Sequence, residues 1–176
     1  MRRIVEVDFH KPLVEHAYRL LREKEAVLLD SNTLILLAHG SGPMWVRRLL
    51  FEWEKYGLKA ICGICDFIAR ESVNVEKWKL NGTAVRGFLS EAAESGAYVE
   101  LKTPVRSVDA GSRDMFVNVL PKAQRNRLVR NHRLSGTDKC LILVAWHLRG
   151  NGVNVSIVTE DDAMKQACEE LMIKTR

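Results

Sequence analysis

The sequence predicts an α/β protein of three layers, α/β/α, with a central, mostly parallel sheet. Three observations lead there. Short apolar runs that read as strands (AVLLD, KAICGI, AYVELK, VNVSIVT) alternate with stretches whose apolar residues recur at helical spacing. Strands that alternate with helices favour parallel pairing, because each crossover helix lies on a face of the sheet. The chain is also long enough, at 176 residues with 47% hydrophobic content, to bury one proper core, and it shows no internal repeat or low-complexity segment.

Taken in order, the region from about Pro12 to Glu25 carries Leu13, Val14, Ala17, Tyr18, Leu20 and Leu21 at helical spacing. Residues 1–25 therefore read as a helical extension packed on a domain that spans 26–176. The extension's apolar stripe needs cover, either on its own domain or in a homodimer. A strand is predicted over Ala26–Asp30, followed by a helical start in TLILLA and a break at GSGP. MWVRRLLFEWEKYG reads as an amphipathic helix that stops at Gly57, and KAICGI as a buried strand. DFIARESVNVEKW then forms a helix with Phe67, Ile68 and Val75 facing inward. A further helix is predicted from Thr83 to Glu94 and a strand in AYVELK. Two short helices around Pro121 follow, then a helix from Asp138 to Arg149, a strand from Val153 to Thr159 and a last helix from Asp161 to Leu171.

Charge narrows the class of partner. Lys and Arg outnumber Asp and Glu by 27 to 22, and the pI is near 9.1, which suits an anionic partner. The excess is concentrated between Lys102 and Thr137, where eight basic residues meet two acids. Arg125, Arg127, Arg130 and Arg133 in that stretch precede Asp138 closely, and are the candidates to hold a phosphate backbone. No aromatic ladder interleaves them, so a base-stacking platform is not expected. The N-terminus, MRRIVEVDFHKPLVEH, is broken by acids and a proline and does not read as a signal peptide. No apolar run is long enough to span a bilayer, so no membrane is expected. Cys62, Cys65, Cys140 and Cys168 lie in apolar segments and read as core thiols of a reducing compartment, which points to the cytoplasm. The Cys62-x-x-Cys65 spacing lacks a second Cys/His pair and does not make a zinc site. Trp45, Trp53, Trp78 and Trp146 sit on helical stretches and read as core.

Four acids carry the chemistry. Asp30 and Asp161 close apolar strand-like runs, Asp138 opens an apolar helix, and Glu71 lies on the helix after the second strand, with Asp66 and Glu76 as its competitors for that role. Element ends are where α/β folds keep their sites. Acids gathered without matching bases hold divalent cations, and their hard oxygens suit Mg²⁺ or Mn²⁺. Hydroxyls beside them, in Ser31, Thr137 and Thr159, are expected to cap the adjoining helices and fix the carboxylates in direction. A phosphatase of the D-x-D kind would need an aspartate where Asn32 stands.

The segments VLLDSNTLI, FIARES, TDKCLILVAWHL and VSIVTEDDA, in that order, resemble the four motif blocks of PIN domains, a metal-dependent ribonuclease fold. That family includes VapC-type toxins and RNA-processing endonucleases. The resemblance covers roughly Ala26 to the C-terminus and implies that Asp30, Glu71, Asp138 and Asp161 bind one or two Mg²⁺ or Mn²⁺ ions and carry catalysis. It implies Asn32, Thr137, Thr159 and Asp162 as supporting residues, and RNA as substrate. It further implies an antitoxin or a ribonucleoprotein as partner. Nearly thirty residues precede Asp30, the first of the four acids, and the basic stretch before Asp138 is longer than a compact toxin needs.

Overall fold

Four of the five residues in Glu25–Leu29 are buried, as a run of EAVLL dictates for a strand covered on both faces. In the computed structural model, which describes residues 3–52, 59–103 and 120–176, this strand (β2) lies inside a six-stranded sheet. Its neighbours are β3 (Ala60–Cys65) on one side and β5 (Val155–Val158) on the other. Beyond β3 come β4 (Tyr98–Lys102) and then β1 (Arg3–Glu6), and beyond β5 comes β6 (Lys174–Thr175). All five pairings are parallel.

Eight helices accompany the sheet among the described residues: α1 (Glu15–Arg22), α2 (Ser31–Ala38), α3 (Met44–Phe51), α4 (Asp66–Lys79), α5 (Ala84–Ser95), α6 (Lys122–Arg130), α7 (Gly136–Gly150) and α8 (Asp162–Glu170). The chain steps from β2 to β3 to β4 in one direction, while β1 to β2 and β5 to β6 step in the other. Right-handed crossovers then put α2–α5 on one face and α1, α7 and α8 on the opposite face, which gives the three layers. The packing agrees: α2, α4 and α5 meet one another, and the segment before α1 reaches α7 through Leu13 N–H, which donates to Asn151 Oδ1 at 3.0 Å. Phe9 sets its edge against the His147 ring of α7, 5.8 Å between centroids.

The core runs through the sheet. Gly63 in β3 has no room for a side chain, because a Cβ there would lie 2.6 Å from Leu28 Cδ2 of β2. Helix α7 buries eight of its fifteen residues, including Cys140–Ala145 without a break. A helix apolar nearly all round belongs inside the molecule. All four cysteines are buried free thiols, and burial pushes Cys140 and Cys168 up to about 12, out of the reactive range.

Several expectations need correction. The N-terminal extension is not simply helical: Arg3–Glu6 is an edge strand, and the helix covers only Glu15–Arg22. Alternating RIVE buries Val5 alone, a pattern four residues long that is easily missed. Lys174–Thr175 adds a sixth strand that the sequence did not suggest. Trp78 is 81% exposed and Trp45 is exposed as well, so neither is core; the buried stripe of α4 ends before Trp78. Trp53, the Gly57 stop and the first of the two helices expected around Pro121 lie outside the described residues.

The C-terminus is tied to the start of β2 by a forked ion pair. Arg176 Nε and Nη2 donate to the two Glu25 oxygens at 2.9 and 2.7 Å. The Arg176 guanidinium, ahead of the opposing effect of burial, holds the Glu25 carboxyl down at about 2 against an ordinary 4.5. A depressed carboxyl stabilises the fold fully above its ordinary value and loses that contribution as the pH falls toward its folded value. Glu25→Gln is therefore expected to cost about 1 kcal/mol at pH 7, on the scale of a well-formed surface pair. The difference from wild type should narrow steadily in urea unfolding between pH 5 and pH 3. A gap of constant size over that range would contradict the assignment.

Candidate active site

The sheet order reverses at β2: the chain leaves toward β3, while β5 lies on its other side. Parallel α/β sheets open a crevice at the carboxyl ends of two such strands. Leu29 and Val158 are register partners, so the residues that follow them, Asp30 and Thr159–Asp161, emerge side by side.

Asp30 is the N-cap of α2. Its Oδ1 accepts from Thr33 N–H at 2.7 Å, and Thr33 Oγ1 reaches Val158 O at 3.3 Å, which fixes the start of α2 against β5. The residue is only 4% exposed, and among the described residues one of its two carboxylate oxygens has a hydrogen bond. Asp161 is likewise an N-cap, of α8, accepting from Met164 N–H at 3.0 Å. Its own N–H donates to Thr159 Oγ1 at 3.1 Å. Thr159 therefore orients the backbone at Asp161 and does not itself cap α8 as expected. Asp162, in the first turn, is exposed.

Asp138 sits in the first turn of α7. The cap is Ser135 and not Thr137, which is buried one position before Asp138. Ser135 Oγ accepts from Asp138 N–H at 3.1 Å, while Asp138 Oδ2 accepts from Ser135 N–H at 2.9 Å and from its hydroxyl at 2.8 Å. This reciprocal box was legible as S-x-x-D. Burial raises the Asp138 carboxyl above its ordinary value, against the lowering effect of Ser135, and the negative charges of Asp161 and Asp30 raise it further. Three aspartates from three distant segments thus share one electrostatic neighbourhood.

Glu71 joins from α4. The Ser31 hydroxyl, in the residue after Asp30, donates to Glu71 Oε2. Its two competitors are engaged elsewhere: Asp66 Oδ1 accepts from Phe67 N–H at 2.9 Å and from Thr103 Oγ1 at 3.2 Å, and Glu76 is buried at the start of α5. Of the acids on α4, Glu71 is the one that reaches the start of α2. Ser31, expected to cap α2, does not do so: Asp30 is the cap, and the Ser31 hydroxyl goes to Glu71. Asn32 is exposed beside it.

Asp30 and Asp161 act on Asp138, and Glu71 reaches the residue after Asp30, but the acids are not a preformed coordination shell. Among the described residues no group of three or more His, Cys, Asp or Glu side chains stands at metal-ligand spacing. The donor set consists of carboxylate oxygens, hard ligands that suit Mg²⁺ or Mn²⁺ rather than zinc or copper. Each aspartate commits one oxygen to a helix cap, which leaves the other for a ligand.

The basic stretch approaches the site through α6. Lys139, next to Asp138, donates from Nζ to Val129 O at 3.0 Å, so the C-terminal end of α6 abuts the start of α7. Arg127 and Arg130 on α6 and Arg133 in the following turn are exposed, whereas Arg125 is half-buried. Arg106 and Arg113 lie outside the described residues.

No family model matches the chain, and no curated relative matches it at a significant level. No helix among the described residues is long and apolar enough to cross a membrane.

Proposed function

We propose that this chain is a Mg²⁺- or Mn²⁺-dependent endoribonuclease of the PIN type, acting in the cytoplasm. The observation that supports it best is the charge around Asp138: Asp30, nearly fully buried with one oxygen bonded to Thr33 N–H, and Asp161 both act on the Asp138 carboxyl. Like charges held close together, with Asp30 buried and Asp138 half-buried, are costly unless a cation offsets them. Asp30, Asp138 and Asp161, with Glu71 beside them, would hold that cation. A bound divalent ion would activate water and neutralise charge developing on a phosphodiester. The residues' own part is to fix the carboxylates, through the hydrogen bonds that Thr33 N–H, Ser135 and Met164 N–H donate to them, which leaves one oxygen of each for the ion. Arg127, Arg130 and Arg133 would lay the phosphate backbone across it without reading bases. The partners that go with this reading are RNA and either an antitoxin or a ribonucleoprotein, and self-association through the N-terminal segment belongs to the same reading.

A second reading has its own support. Every aspartate of the group serves as a cap or in a capping box, and caps account for these acids without any metal. The chain would then be an inactive PIN-like module that binds RNA or protein. Incubating purified protein with end-labelled RNA separates the two. The nuclease reading expects internal cleavage with Mg²⁺ or Mn²⁺ that EDTA stops. Retention of RNA without cleavage under any of these conditions selects the module. In either case, replacing Arg127, Arg130 and Arg133 together by Ala is expected to weaken RNA binding for all sequences alike. The salt slope should fall by roughly 0.7 for each lost single-strand phosphate contact. An unchanged slope would mean that RNA enters elsewhere.

A further inference from the structure

We propose that Ser31 is the positioning residue for Glu71, a role that rests on the metal reading above. Glu71 has no capping duty among its hydrogen bonds, unlike the three aspartates, and a glutamate on an open helix face swings through many rotamers. One contact removes that freedom: the Ser31 hydroxyl donates to Oε2, and among the described residues Oε1 has no hydrogen bond. Ser31 is itself well fixed. It is the first residue of α2, directly after Asp30, whose carboxylate caps the same helix.

The opposite side of the contact is fixed as well. Ser72, adjacent to Glu71 and fully buried, places Oγ 2.8 Å from Ile68 O and 3.4 Å from Ser31 O. The α4 backbone is thereby held against the Ser31 backbone, while the Ser31 side chain holds the Glu71 carboxylate. Glu71 and Asp30 are in this way set from the same turn of chain, one by its own backbone position and the other through a hydroxyl. A donor on one oxygen of a ligating carboxylate directs the other oxygen at the ion, and loss of such an outer partner typically costs 10–100-fold in metal affinity. The hydroxyl, and not the size of the side chain, is what this role needs.

Titration of the full chain with Mn²⁺ alone, followed by the loss of the free-ion electron paramagnetic resonance signal, tests this without reference to cleavage. Ser31→Ala is expected to weaken Mn²⁺ binding roughly 10–100-fold, and Ser31→Thr, which keeps the hydroxyl, to restore most of it. In a Glu71→Gln background Ser31→Ala should add little, because coupled residues are not additive. Thermal unfolding of each variant identifies any that lose the fold, and the Thr variant keeps the comparison valid if the Ala variant does. An equal loss from Ser31→Ala with and without the Glu71 carboxylate would overturn the positioning role, since Ser31 would then act independently. Wild-type affinity in Ser31→Ala, alongside lost affinity in Asp138→Asn, would overturn it while sustaining the metal site. Wild-type protein that binds no Mn²⁺ would overturn the metal reading and this role with it.

Discussion

Asp138→Asn is expected to leave the protein folded and to lower metal-dependent RNA cleavage by more than about 100-fold, beyond what loss of an outer-shell partner costs. Asparagine keeps the size and one acceptor for Ser135, so the box that opens α7 persists. What disappears is a charge that the site holds at a cost. Burial raises this carboxyl above its ordinary value, and Asp161 and Asp30 add to the rise, so at neutral pH its ionised form works against the folded state. The apo variant should therefore melt no lower than wild type, and slightly higher if the caps hold. A comparison of melting with and without added Mn²⁺ sharpens the test: ion stabilises wild type by mass action and should stabilise the variant far less. Undiminished cleavage by the folded variant would remove Asp138 from the site.

The largest expected loss of stability lies away from the four acids of the candidate site. Glu76 is 1% exposed, and both of its carboxylate oxygens accept from Val85 N–H, at 3.1 and 3.0 Å. Its Oε2 also lies 2.6 Å from His39 Nε2, at the C-cap of α2. One side chain thus closes the start of α5 and joins it to the end of α2. Truncation to Ala strands a buried amide, removes a helix cap and leaves a void beside Gly82, whose Cβ position lies 3.2 Å from Glu76 Cγ. Caps are worth about 0.5–2 kcal/mol and a stranded buried donor about 1–3. Glu76→Ala is therefore expected to cost about 2–4 kcal/mol in urea unfolding, and Glu76→Gln less, since the amide oxygen still accepts. A loss below about 0.5 kcal/mol, the range of ordinary surface substitutions, would show that water or another group takes over the amide.

Most strands and helices were readable because their residues are periodic and long enough to average over. Helix α4 is the clearest case, with Phe67 and Ile68 buried as expected. Glu76 lies on that same stripe, and a carboxylate in a buried stripe is invisible to a hydropathy pattern: only the nearby start of α5, brought back by the chain, gives it a partner. The edge strands failed for the opposite reason, since four and two residues carry too little pattern. Asp30 and Asp161 fall at element ends as read because strand ends can be read locally, and Asp138 because it opens a long apolar helix. The cap at Ser135 was legible too, but the hydroxyl of Thr137 stood closer to Asp138 and drew the assignment. Ser31 reads from sequence only as a cap, because its actual contact is with Glu71, forty positions away.

The pairing of β2 with β5 has a consequence in time. Ala26 is matched with Val155, so the central seam of the sheet joins the first part of the chain to the last. During synthesis, Asp30 and Glu71 emerge early and can settle with β2, β3 and α4, but Asp161 follows the strand that completes the seam. Contacts so far apart in sequence form late and slowly. A nascent or truncated chain that stops before Val155 carries three of the four carboxylates and none of the β2–β5 seam. The geometry that brings the acids together therefore belongs only to the finished polypeptide, and translation itself delays assembly of the crevice.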